Sequence, residues 1–148
     1  EVLAKLLSGG TVDHEGEFYA FEGVHMAPSP SRPIEVRIGG LGRVALRRAA
    51  RHDGWLGLRH TPAEIVEIVA FLAAERLRLG RSREAFDVMI AHHPSHPDSG
   101  EYERYRDAGV DSVNVPPWRY RGISSITFDE KRRSLEVFAE RYIVPLAG

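Results

Sequence analysis

Apolar positions along this chain repeat every second residue over short stretches and every third or fourth over longer ones, and the two periods take turns. Ile34, Val36 and Ile38 alternate with polar neighbours as a strand does. A glycine pair, Gly39-Gly40, ends that run, and Val44, Leu46 and Ala49 then carry a helix to about Arg51. Asp53-Gly54 turns the chain into a second strand, Trp55-Leu56-Gly57-Leu58. The following helix is marked at both ends. Thr61 is a good N-cap, Pro62 suits the first helical position, Glu64 completes a capping box, and Gly80 closes the helix. Ile65, Ile68, Val69 and Leu72 fall on one face of it.

The alternation continues with a third strand from Phe86 to Ala91, a proline-rich loop from His92 to Ser99, and a short helix from about Tyr102 to Ala108, closed by Gly109. Val110 to Val115 reads as a fourth strand. A second capping box, Thr127 with Glu130, opens a last helix with Leu135, Phe138, Ala139 and Tyr142 on one face. Residues 33–148 are therefore expected to form four βα units. Residues 1–32 comprise a helix end stopped by Gly9-Gly10, a hairpin-like excursion from Thr11 to Met26, and a stiff connector through Pro28 and Pro30. We expect one domain in total.

Strands rich in Val and Ile that alternate with amphipathic helices pair in parallel through right-handed crossovers. Two architectures satisfy that pattern: half of a (β/α)8 barrel, whose complete form takes about 250 residues, and a doubly wound four-stranded sheet with helices on both faces. Periodicity alone does not separate them. The start, Glu1-Val-Leu-Ala-Lys-Leu-Leu7, has no initiator Met and reads as a helix already under way, as in a piece of a longer chain.

Composition narrows the chemistry. The 148 residues hold 20 basic and 21 acidic side chains for a formal net charge of -1, which gives no general attraction to nucleic acid or to an anionic membrane. The basic runs Arg47-Arg48 and Lys131-Arg132-Arg133 read as solvated helix faces. With no cysteine, disulfides, thiolate catalysis and Cys-type zinc sites are excluded. No apolar run reaches the roughly 20 residues that span a bilayer, and no signal-peptide pattern is present, so a cytoplasmic location is expected.

Pro33-Ile-x-Val-x-Ile-Gly-Gly40, Ala45-Leu-Arg-Arg-Ala-Ala50 and Asp53-Gly54-Trp55 together resemble the central signature of the luciferase-like monooxygenase superfamily. His14-Glu-Gly-Glu-Phe-Tyr19 with Pro28 and Pro30 looks like the family's approach to that strand. The Thr61-Pro62 helix, Gly80-Arg81 and Ala108-Gly-Val-Asp111 match its later course. The sequence departs from the pattern at Leu41-Gly42, where a small or hydroxylated residue is common, and at His52, where Gly or Ala is common.

The resemblance implies the C-terminal half of a TIM (β/α)8 barrel, about four βα units, with an N-terminal hairpin-like extension. It implies a flavin or deazaflavin oxidoreductase using FMN or coenzyme F-420, with the Arg and Ala richness favouring the deazaflavin. Carried over by position, the backbone of Ile38, Gly39 and Gly40 would hold the coenzyme phosphate, with Leu58 and Arg59 as a second set of contacts. The bland readings are a glycine turn needed only for sterics and an exposed loop arginine.

His60 reads as a loop residue and Trp55 as core. His92, His93 and His96 lack the helical spacing of a metal site, so no metal is expected. Trp118, Arg119 and Tyr120 follow the last strand, where they border the ring or substrate pocket on this reading. No catalytic residue is expected, because in the superfamily the residues that touch the reacting substrate lie largely in the N-terminal half. The expected partners are a small-molecule substrate and further copies of the chain. Two other readings stay open: a non-catalytic half barrel that self-associates through open strand edges, and an unrelated phosphate-binding βα domain.

Overall fold

The computed structural model describes residues 2–91, 99–121 and 127–146, and the chain divides into two compact units, Glu1–Val36 and Arg37–Gly148. In the first unit, helix α1 (Val2–Leu7) precedes an antiparallel hairpin of β1 (Val12–Glu15) and β2 (Ala20–Val24), whose register shifts between Val12 and His14. The expected excursion is thus a true hairpin. His14 packs its ring against Tyr19 and Phe21, at 5.3 and 5.5 Å between centroids.

The second unit runs β3 (Arg37–Gly39), α2 (Arg43–Ala49), β4 (Gly54–Leu58), α3 (Pro62–Arg78), β5 (Asp87–Ala91), α4 (Ser99–Asp107) and β6 (Ser112–Asn114). A 3-10 turn, Pro117–Arg121, comes next. Helix α5 (Phe128–Phe138) then passes into a π turn, Ala139–Ile143, and a last helical turn, Val144–Leu146. The four strands form one sheet in the order β3-β4-β5-β6, every pair parallel.

Burial along the ladders shows how the sheet is covered. Ile38 pairs with Trp55 and Trp55 with Val88; Gly57 pairs with Ile90, and Ile90 with Val113. These in-register positions share one face. They pack with Leu46 and Ala49 of α2, Ile65 and Leu72 of α3, and Tyr105 of α4 in a single apolar core. The intervening residues behave differently: Arg37, Gly39 and Leu58 are exposed, and Leu56, Asp87, Met89 and Ala91 are half-buried. Helices α2, α3 and α4 therefore coat one face of the sheet. A doubly wound sheet would bury both faces, and this one does not.

Gly54, between Arg37 and Asp87 in the ladder, explains one part of the Asp53-Gly54-Trp55 sequence. The Arg37 Nε donates to Asp87 Oδ2 at 2.6 Å across it, and a Cβ at Gly54 would stand 2.9 Å from Arg37 Cγ.

Several element bounds differ from expectation. Ile34 and Val36 lie outside β3, because β4 begins only at Gly54, the partner of Arg37, and Pro33 removes a donor just upstream. Val44 sits on the solvent side of α2. In α5 the inward stripe is Ser134, Phe138 and Tyr142, while Leu135 stays largely exposed. The π turn lies just ahead of Pro145, which has no N–H to offer the Arg141 carbonyl one turn back. It sets Tyr142 edge-on to Tyr102 of α4, at 5.4 Å and 70°.

Both expected capping boxes are present, Thr61 with Glu64 and Thr127 with Glu130. Gly80, at φ +73°, follows the end of α3.

Candidate functional site

The parallel ladder brings the predicted site residues to one edge of the sheet. Gly39 pairs with Leu56, and β4 runs two residues further, to Leu58 beside Ala91. Ile38, Gly39 and Gly40 thus lie at the C-terminal end of β3, and Leu58 and Arg59 at the same end of its neighbour. In parallel βα folds this is the end where ligands collect.

Each position has its own reason. The Ile38 side chain turns into the core. Gly39 is uncrowded: among the described residues a Cβ there would have only the Leu56 carbonyl oxygen near it, at 3.9 Å. Gly40 needs to be glycine on two counts: its φ is +125°, and a Cβ would stand 2.6 Å from the Ala45 Cβ. Leu58 is more than half exposed. Arg59 adopts a left-handed φ of +57°, and its N–H donates to the Ala91 carbonyl at 3.2 Å, so the chain bends sharply at the strand end. The Arg59 side chain is exposed and has no ion-pair partner among the described residues.

Behind this edge stands a cluster that sequence reasoning did not connect. The fully buried Trp55 indole donates from Nε1 to the Gly40 carbonyl at 2.8 Å. Its ring lies 5.5 Å from that of His60. His60 follows the strand as expected of a loop residue, yet its side chain is only 12% exposed. The Tyr105 hydroxyl donates to the His60 carbonyl at 2.7 Å, with a Glu101 oxygen 3.2 Å away. Burial, reinforced by Glu101, pushes the Tyr105 phenol up to about 12. At ordinary pH it is a fixed donor. Nothing in the local pattern around Trp55 signals a partner 15 residues upstream.

The remaining candidates are dispersed. His92, His93 and His96 lie outside the described residues. Trp118 is half-buried, with Lys131 Nζ 5.9 Å over its ring, and Arg119 is exposed. The backbone of Tyr120 lies in the 3-10 turn. Among the described residues no three His, Asp or Glu side chains are grouped to hold a metal ion. No described helix is long and apolar enough to cross a membrane.

Comparison with known proteins gives a family assignment. The sequence profile described as luciferase-like monooxygenase matches residues 1–138. The chain belongs to the luciferase-like monooxygenase family. Uncharacterized proteins of Mycobacterium bovis and Mycobacterium tuberculosis are 32% identical to it over 146 residues, which is 97% of this chain and 50% of each relative. The chain thus spans about half the length of the curated relatives it matches.

Among solved structures, a coenzyme F-420-dependent secondary alcohol dehydrogenase, in complex with an F-420–acetone adduct, superposes with a TM-score of 0.62 at 11% identity. The match covers 76% of this chain and 52% of the dehydrogenase. At that identity the likeness concerns the fold. The luciferase-like chain is an α/β half barrel of four parallel strands.

Proposed function

We propose that these residues form the part of a flavin- or deazaflavin-dependent oxidoreductase that holds the coenzyme by its phosphate. One observation carries the reading: two neighbouring parallel strands end together in an open glycine backbone and an arginine with no ion-pair partner among the described residues. The space over Gly39 admits an anion, and the Leu41 N–H has no acceptor among the described residues. Arg59 supplies a planar guanidinium that forks onto phosphate oxygens. The side chains and backbone present therefore fit an anionic tail.

The bound coenzyme would supply hydride transfer in the deazaflavin case and oxygen activation in the FMN case. Ile38, Gly39 and Gly40 would bear on the phosphate through their backbone, and Leu58 and Arg59 from the adjacent strand end. Fixing the tail fixes where the ring stands, so that binding energy is spent on orientation. The family name, the four-strand half barrel and the F-420-dependent neighbour all support coenzyme F-420 or FMN, and the neighbour favours the former. A small organic molecule is the proposed substrate. On this reading no residue of the chain is catalytic.

The test uses the protein expressed from its complete coding sequence. Binding of FMN is compared with riboflavin, and of coenzyme F-420 with its phosphate-free deazaflavin core. The phosphate-bearing member of one pair should bind at least about tenfold more tightly, and Arg59→Ala should remove roughly tenfold of that preference. Equal affinity within both pairs refutes the phosphate site.

A second reading is self-association. Strands β3 and β6 each have one edge unpaired among the described residues, and the uncoated face carries half-buried Leu56 and Met89. Sedimentation of the protein at several concentrations decides it, and a monomer throughout rejects it.

A further inference from the structure

We infer that Trp55 is a positioning residue for the anion-binding strand end: its indole N–H fixes the Gly40–Leu41 peptide plane so that the Leu41 N–H is presented to the coenzyme phosphate. The inference rests on the phosphate reading above and adds to it the group that aims the backbone donor.

The geometry follows from a planar peptide. Among the described residues only the Ala27–Pro28 bond is cis, so the Gly40–Leu41 bond is trans, and its C=O and N–H point in opposite directions. The carbonyl is spoken for, accepting from Trp55 Nε1 at 2.8 Å on the helix-coated side of the sheet. The Leu41 N–H must then point away from the indole, and it has no acceptor among the described residues. A donor whose own carbonyl is pinned is already oriented when a ligand arrives, and accepting a hydrogen bond at the carbonyl polarises the N–H further.

Glycine at position 40 permits this plane, because its φ of +125° suits no ordinary side chain. Glycine at position 57 permits the ring, because the indole lies across the place where a Cβ would be. The same ring also packs against His60, whose carbonyl Tyr105 holds, so one buried side chain stands behind both the Gly40 backbone and the turn carrying Arg59.

The experiment replaces the indole N–H and asks whether only the phosphate notices. Trp55→Phe is made in the protein expressed from its complete coding sequence. FMN is titrated against riboflavin, and coenzyme F-420 against its phosphate-free core. The expected result is roughly tenfold weaker binding of the phosphate-bearing member, with less than about twofold change for the phosphate-free one.

Equal losses within a pair, or no loss at all, overturn the positioning role, since a general packing defect would touch both members. Benzothienylalanine at position 55 keeps the shape of the indole without its N–H and should reproduce the selective loss. Wild-type behaviour of that variant overturns the inference even where Trp55→Phe is too unstable to measure. A wild-type protein that binds both members equally sinks the phosphate site itself. A wild-type preference that survives both substitutions sinks only the role of Trp55.

Discussion

Gly57→Ala is the most demanding small change this fold offers. A Cβ at position 57 would meet Trp55 Cη2 and would stand 2.7 and 2.9 Å from Cζ3 and Cζ2. Ordinary carbon contacts lie near 3.5 to 4.0 Å, so the benzo edge must retreat by roughly an ångström. It has nowhere easy to go, because Trp55 is fully buried in the core that α2, α3 and α4 build. A shift of that size would also pull Nε1 from the Gly40 carbonyl, now 2.8 Å away, to beyond hydrogen-bonding distance.

Two costs then add. Overpacking a filled core costs about 1–3 kcal/mol, and orphaning the buried indole N–H costs about 1–3 kcal/mol. Lower entropy of the unfolded chain returns about 0.4–1 kcal/mol. The net expectation is a loss of about 1–5 kcal/mol, centred near 3. Urea unfolding of the protein expressed from its complete coding sequence measures it, and a second arm makes the cause specific. In a Trp55→Leu background the obstructing ring is gone, so Gly57→Ala should cost at least about 1 kcal/mol less there. A loss below about 1 kcal/mol in the wild-type background, or an equal loss in both, refutes the reasoning.

Two further predictions concern groups away from the strand ends. Arg76 is 5% exposed, with Nη2 at 2.8 Å from both the Arg81 and Glu84 carbonyl oxygens and its guanidinium 4.4 Å over the Phe86 ring. Arg76→Met should cost about 2–4 kcal/mol by orphaning those carbonyls, and Arg76→Lys should recover only part of it, because an ammonium lacks the planar fork. An unchanged urea midpoint in Arg76→Met contradicts this. Glu64 is held below the usual carboxylate value of 4.5, first by the Thr61 backbone N–H and then by the Thr61 hydroxyl. Its folded pKa lies below its unfolded one, so the associated stability is present above pH 4.5 and is lost as the pH falls through the folded value. Wild type should therefore lose stability more steeply below that pH than Glu64→Gln, and parallel acid curves for the two proteins would exclude the capping interaction as the cause.

How far each feature could be read in advance depends on how far apart its determinants lie. The two capping boxes involve residues three apart and were fully legible. So was the inward face of α3, because helical spacing alone sets it. The same spacing places Arg76 four residues after Leu72 on that face, a signal passed over because arginine is usually exposed. Strand limits were less legible: β3 is short because of where β4 begins, a fact about another segment. The shift from Leu135 to Ser134 on the inward stripe of α5 goes with the π turn that follows this helix. The glycine pair and Arg59 were found by resemblance, and their meeting at one sheet edge needed the parallel register. The Trp55 bond runs from near the start of β4 to the residue just after β3 and leaves no local trace.

The distribution of these interactions bears on what the half barrel contributes. Among the described residues, the interactions that shape the two strand ends come from residues 37 to 105: the β3–β4 register, Gly40 against Ala45, Trp55 on Gly40, and Tyr105 on His60. The side-chain contacts among them belong to the helix-coated side of the sheet. On the opposite face Leu58 is exposed, Leu56 and Met89 are half-buried, and the Arg37–Asp87 pair braces the start of the strands rather than their C-terminal ends. If the strand ends hold a phosphate as proposed, its grip is set by local packing that a partner structure need not complete. The surroundings of a redox ring would have to be completed from the uncoated side. Substitutions behind the sheet, such as Gly57→Ala, should then act on affinity for the phosphate tail, whereas substitutions on the open face, such as Leu56→Ala, should act on reaction at the ring.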